Sequence, residues 1–210
     1  MKQHIAIHLQ TVSPMEGKDD ALDLIDFACR AIDLYAHSCF RMQYLYPLCR
    51  RMRPEKVVET GVHNGISTAF ILNALGETSG RLHSIDLPNI QYQTDQGQQH
   101  EDLIPGSMPG LLVPDKLRSK WDLILGDSRE KLPTLLESLG EVDIFHHDSM
   151  HTRECMTFEY QTVWPYLRDD GLLLSDDATW NNAFEDFCRD RTSDYRVHRG
   201  IGIAKKSKSS

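Results

Sequence analysis

KVVETGVHNGIST, running from Lys56 to Thr68, is the stretch whose reading decides the fold. A short run of β-branched and apolar residues stops at Glu59, and glycines follow at Gly61 and Gly65. A helical pattern then opens at Ile66, with Ser67 and Thr68 in its first turn. This order predicts a strand, a tight turn and a helix. Glycines let the backbone turn sharply and approach a ligand closely, and the free amides at a helix start favour an anion.

A second apolar run, LHSID, ends at Asp86. In a nucleotide-binding βαβ unit a carboxylate at that distance accepts hydrogen bonds from ribose hydroxyls. The pair of runs therefore predicts a pocket for an adenosine-bearing ligand. The turn lacks the G-x-G-x-x-G of dinucleotide sites, because His63 stands where the second glycine would be, and no Gly-Lys-Ser/Thr follows as in a P-loop. The alternative is an ordinary strand-turn-helix of an α/β protein.

Onward from this unit, WDLILGDS (Trp121 to Ser128), VDIFHHDSMH (Val142 to His151) and GLLLSDD (Gly171 to Asp177) read as further strands, each followed by a helical pattern. YRVHRG and IGIAKK close the chain as a hairpin around Gly200. The expected fold is α/β: a doubly wound, Rossmann-like, mostly parallel seven-stranded sheet with an antiparallel C-terminal hairpin strand and N-terminal helices. Residues 1–54 are expected to form a helical cap, 55–206 the nucleoside-binding domain and 207–210 a disordered tail. Apolar residues recur at helical steps from Lys18 to Arg53, with Pro47 ending or kinking a turn. The Pro- and Gly-rich segment from Pro88 to Lys120 is aperiodic, which suits a substrate-side lid within 88–120 or a disordered insertion.

A net charge of −8 disfavours a nucleic-acid partner, whose phosphates need a basic face. The apolar runs are too short to span a bilayer, and MKQHIAIHLQ does not read as a secretory signal, so no membrane partner and a cytoplasmic location are expected. The five cysteines form no CxxC pair and read as small buried hydrophobes. A small-molecule substrate remains the favoured partner; the oligomeric state, homo-oligomer included, is not readable.

An acidic residue ending the first strand, two glycines four apart and an acidic end to the second strand resemble the S-adenosyl-L-methionine (AdoMet) site of class I methyltransferases, whose middle glycine is replaced here. That resemblance implies Glu59, Gly61, His63, Gly65, Ser67, Asp86, Asp127 and Ser128 as cofactor-binding residues, Asp127 facing the adenine amino group. Gly-Asp-Ser is equally a good turn and helix N-cap.

Asp148 and His151 leave the fourth strand, and Asp176 and Asp177 leave the fifth, converging on the rim beside the glycine turn. Gathered carboxylates repel one another, and a hard cation such as Mg²⁺ would compensate them. DSMH followed by SDD resembles the metal-dependent small-molecule O-methyltransferases related to macrocin sugar O-methyltransferases and cephalosporin-hydroxylase-like proteins. By that resemblance Asp148, Asp176 and Asp177 hold the metal and His151, with Asp148, is catalytic, His151 as general base. The implied activity is O-methylation of a sugar or natural-product hydroxyl. The rivals are a metal-independent N- or C-methyltransferase and a hydroxylase-like or non-catalytic AdoMet-binding protein.

Overall fold

The computed structural model describes residues 2–15, 19, 21–76, 78–87, 92–93, 99–100, 108–192 and 194–208. Helices α1 (Lys2–Thr11), α2 (Leu24–Tyr35) and α3 (Leu45–Met52) precede β1 (Lys56–Thr60) and α4 (Ile66–Leu75). Then follow β2 (Arg81–Asp86), a small ribbon of β3 (Tyr92–Gln93) and β4 (Gln99–His100), β5 (Trp121–Leu125), α5 (Ser128–Leu139) and β6 (Val142–His147). Helix α6 (Arg153–Val163), β7 (Leu167–Ser175), α7 (Ala183–Arg189), β8 (Tyr195–His198) and β9 (Ile201–Lys205) complete the chain.

The large sheet has the order β5-β2-β1-β6-β7-β9-β8. Strands β5, β2, β1, β6 and β7 pair in parallel, and β9 runs antiparallel between β7 and β8, as the seven-stranded doubly wound reading expects. From β1 the chain steps outward to β2 and β5, then returns to the other side of β1 as β6. The tips of β1 and β6 therefore flank the point where the winding reverses, the place where open α/β sheets bind ligands.

Alternation within the strands fills a core on each face. Val57, Leu82, Ile144, Leu172 and Leu174 pack with α1 to α4, whereas Val58, Ile85, Phe145 and Leu173 pack with α5 to α7. Burial of one side chain the size of Phe145 contributes about 1.5–3 kcal/mol. Helix α4 is mostly apolar and nearly all buried, sandwiched between the sheet and the N-terminal helices, with Ser67 and Thr68 of its first turn bonded to Glu59.

Several details differ from the sequence reading. The helical pattern between Lys18 and Arg53 breaks into α2, capped by Asp23, which accepts from Ile25 N and Asp26 N, then a 3-10 turn at Arg41–Tyr44, then α3. Pro47 sits in the first turn of α3, where a missing N–H costs nothing. Helices α1 to α3 share one core with β1 and α4. Strand β7 opens at Leu167 and ends at Ser175, before the two aspartates. Four cysteines are buried, but Cys39 is exposed.

About half of the expected lid falls on 88–91, 94–98 and 101–107, which lie outside the described residues, as do 209 and 210 of the expected tail. Within 108–120 the chain packs on the glycine turn: Gly110 N donates to His63 O at 2.8 Å, Leu112 N to Asn64 O at 2.9 Å, and Leu112 and Val113 are buried. Among the described residues, no helix is long and apolar enough to cross a membrane.

Candidate active site

The glycine turn is held from three directions. Glu59, fully buried at the end of β1, accepts from Ser67 Oγ at 2.6 Å, Thr68 Oγ1 at 2.8 Å and Ser84 Oγ at 2.8 Å. Its carboxylate is thus turned onto the start of α4 and onto β2. Asp86 Oδ2 accepts from Val62 N at 3.0 Å and His63 N at 2.7 Å, and its Oδ1 accepts from Leu87 N at 2.7 Å. Asp86 thus shapes the backbone of the turn and keeps lone pairs for a second partner, whereas Glu59 is fully buried and engaged by three hydroxyls.

Gly61 and Gly65 have φ of 84° and 87°, the left-handed region that suits glycine. A Cβ on Gly61 would lie 1.9 Å from the backbone oxygen of Asp148, and Asp148 N donates to Thr60 O at 2.8 Å. The tips of β1 and β6 therefore touch, and the crevice there brings the glycine turn against Asp148. A Cβ on Gly65 would strike Val113 and Gly110 of the packed 108–120 segment.

One cleft opens beside Gly61, lined by Asp86, Gly126, Asp127, Ser128 and Met150 among others. Asp127 caps α5, its side chain accepting from Arg129 N at 2.8 Å, which is the capping alternative that Gly-Asp-Ser allows. A second cleft of about 250 Å³ lies across the glycine turn, between Phe40, Arg41 and Met42 of the N-terminal segment and His63, Ser67 and Asp148. His63 Nε2 is buried without a hydrogen-bond partner. A wider groove, about 620 Å³, lies away from the strand tips between α2 and β8 and is lined by ion pairs such as Arg196 to Asp26.

Below the crevice is a hub that the sequence reading missed. Glu159, fully buried on α6, accepts from Thr60 Oγ1 at 2.5 Å and Ser149 Oγ at 2.8 Å, and its Oε2 is 2.7 Å from His147 Nδ1. Burial works to raise its pKa, but His147 and the hydroxyls outweigh burial and hold it below the ordinary carboxylate value. The signal was present: Glu159 shares the apolar face of α6 with Met156, Tyr160 and Val163, an odd place for an unpaired acid.

His151 packs against His147 and Trp180 with ring centroids 5.2 Å away in each case. Burial, followed by the neighbouring His147, pulls its pKa down to about 4, so the imidazole is neutral at pH 7. Its Nε2 has no hydrogen-bond partner and lies 3.9 Å from Asp148 Oδ1. Burial and then the charge of Asp176 raise Asp148 well above the usual carboxylate range.

Two of the three carboxylates expected to hold Mg²⁺ are brought together, but around a different cation. Because β7 has ended, and Asp177 turns with φ of 46°, Asp176 and Asp177 both reach the same guanidinium nitrogen of Arg41. The contact to Asp177 is 3.1 Å, and that to Asp176 is also direct. Among the described residues no group of three His, Cys, Asp or Glu side chains is arranged to hold a metal ion. The set Asp148, Asp176 and Asp177 as folded does not fit Mg²⁺, since one oxygen of Asp176 and one of Asp177 are turned onto Arg41. Sequence reading offered no signal for this, because Arg41 is 135 residues from Asp176.

This fold and crevice define a class I methyltransferase. The family model described as a methyltransferase domain matches residues 58–178, more than half of the chain, and the protein belongs to that family. No curated protein matches the sequence. Among solved structures, the calicheamicin methyltransferase CalS11 has 17% identity and a TM-score of 0.63, covering 97% of this chain and 90% of its own. The O-methyltransferase TomG from Streptomyces achromogenes, involved in tomaymycin synthesis and in complex with SAM, has 13% identity, a TM-score of 0.60, and coverage of 98% and 96%. The mycinamycin-pathway methyltransferase MycE, in complex with Mg, SAH and mycinamycin VI, has 16% identity and a TM-score of 0.58, covering 89% of this chain and 55% of its own. At these identities the similarity is one of fold.

Proposed function

We propose that the protein is an AdoMet-dependent O-methyltransferase acting on a hydroxyl of a small metabolite, of the sugar or natural-product kind. The observation that carries this reading is His151: a neutral, buried imidazole whose Nε2 lacks a partner, on the rim where the tips of β1 and β6 meet. The solved relatives lend support, since CalS11 is described as a TDP-rhamnose 3'-O-methyltransferase and TomG as an O-methyltransferase bound to SAM.

The cleft beside Asp86, Gly126 and Asp127 offers acceptor oxygens for the hydroxyls and amino group of a nucleoside. Bound there, AdoMet supplies an electrophilic methyl on a sulfonium sulfur. The second cleft then holds the acceptor. Phe40, Arg41 and Met42 form one of its walls, so the N-terminal residues 1–54 serve as the substrate side. His151 takes the hydroxyl proton as the oxygen attacks the methyl carbon and the carbon–sulfur bond breaks, leaving S-adenosylhomocysteine. In-line alignment across one crevice supplies most of what remains.

The test is calorimetric titration with S-adenosylhomocysteine, followed by its production from AdoMet with a panel of hydroxylated acceptors. His151→Ala should bind the nucleoside as wild type does and lose about 10²–10⁴-fold in turnover. Absence of nucleoside binding by the wild type would overturn the reading, and undiminished turnover by the variant would remove His151 from it.

A further inference from the structure

The carboxylate rim gathers Asp148, Asp176 and Asp177 at the ends of two neighbouring strands, and such a cluster needs a positive charge. The molecule supplies one of its own. Arg41 enters from the 3-10 turn before α3 and bonds both Asp176, which is nearly inaccessible, and Asp177. The turn geometry at Asp177 is what lets two successive aspartates face a single nitrogen. Burial disfavours the Arg41 charge, yet the two aspartates outweigh it and raise the pKa above the ordinary arginine value. The Arg41 side chain also remains 45% exposed and lines the second cleft beside His63, Asn64 and Asp148. A guanidinium has five N–H donors, more than two aspartate oxygens consume.

We propose that Arg41 is the resident cation of this rim, excluding a divalent ion from Asp176 and Asp177 and presenting its remaining N–H groups to the acceptor oxygen in the second cleft. This deepens the O-methyltransferase reading and rests on it for the acceptor alone. An arginine in that position does part of what a metal does, because it orients an oxygen nucleophile and stabilises the negative charge that develops as the proton leaves. It differs in being permanently charged and tethered to the N-terminal segment.

Binding of Mn²⁺ alone, followed by electron paramagnetic resonance on the full chain, tests the exclusion. Wild type and R41K should bind Mn²⁺ weakly and alike, whereas R41Q, which frees both aspartates, should bind about tenfold tighter or more. Wild type binding as tightly as R41Q would overturn the proposal, and so would weak binding by both. Should R41Q fail to fold, wild type against D176N decides: Mn²⁺ binding that D176N removes overturns the proposal, and wild type no better than D176N upholds it. Titration of the same samples with S-adenosylhomocysteine reports separately on the nucleoside cleft. Its failure would count against the proposed function and leave Arg41 to be judged by Mn²⁺.

Discussion

Acidification should expose the strain of keeping His151 uncharged. The ordinary imidazole pKa near 6.5 applies to the unfolded chain, and burial brings the folded value to about 4. Between those two values the unfolded state binds a proton that the folded state refuses, so stability falls as pH falls. Above pH 6.5 both states are neutral and the group contributes nothing; below about pH 4 both are charged and the loss is complete. The interval corresponds to about 3 kcal/mol at 1.36 kcal/mol per pH unit. His151 is 13% exposed, so solvent screening reduces this little. Asp148 works in the opposite direction, since its raised value makes the folded state take up a proton first. The two effects are separated by comparing wild type with His151→Asn, which keeps Asp148 together with the burial, Asp176, Glu59 and Asp177 that raise it. Urea unfolding at pH 7, 5.5 and 4.5 should show the stability difference between the two proteins shifting by about 2 kcal/mol in favour of the variant, the rest of the interval lying below pH 4.5. A difference that stays flat over that range would refute the claim that His151 is buried and neutral.

Gly61→Ala should lose at least about 2 kcal/mol, the left-handed backbone alone costing about 1–2, and should weaken S-adenosylhomocysteine binding because the Asp148 backbone must retreat. Thermal unfolding with a nucleoside titration checks both, and an unchanged midpoint would contradict the close approach of the two strand tips. Asp127→Ala should lose about 1 kcal/mol as an N-cap while Asp127→Ser keeps most of it. If Asp127 also binds the adenine amino group, both variants weaken nucleoside affinity, and if it only caps the helix, affinity follows stability.

The parallel sheet was legible because its strands are short, apolar on both faces and separated by helical periodicity, with turns marked by Gly61, Gly65 and Gly126. The convergence of Asp148, His151, Asp176 and Asp177 was legible for a topological reason: successive parallel strands end on the same edge. The need for a positive charge there also followed from the carboxylates themselves. Its identity did not, because nothing near Arg41 in the chain signals a partner 135 residues away, and only the packed fold brings the turn before α3 over that edge. Glu59 and Asp86 show a related limit. Their positions were readable, but not that hydroxyls and backbone amides already engage them, since those donors are assembled only when β1, β2 and α4 pack.

The C-terminal hairpin carries a consequence for synthesis. Arg199 and Gly200 have φ of 49° and 83°, the two-residue turn that lets β9 fold back and slot between β7 and β8. Until Ile201–Lys205 has left the ribosome, β7 presents an unpaired edge with Leu172, Leu173 and Leu174 along it. Chaperone engagement with nascent chains should therefore persist until β9 has emerged and paired with β7.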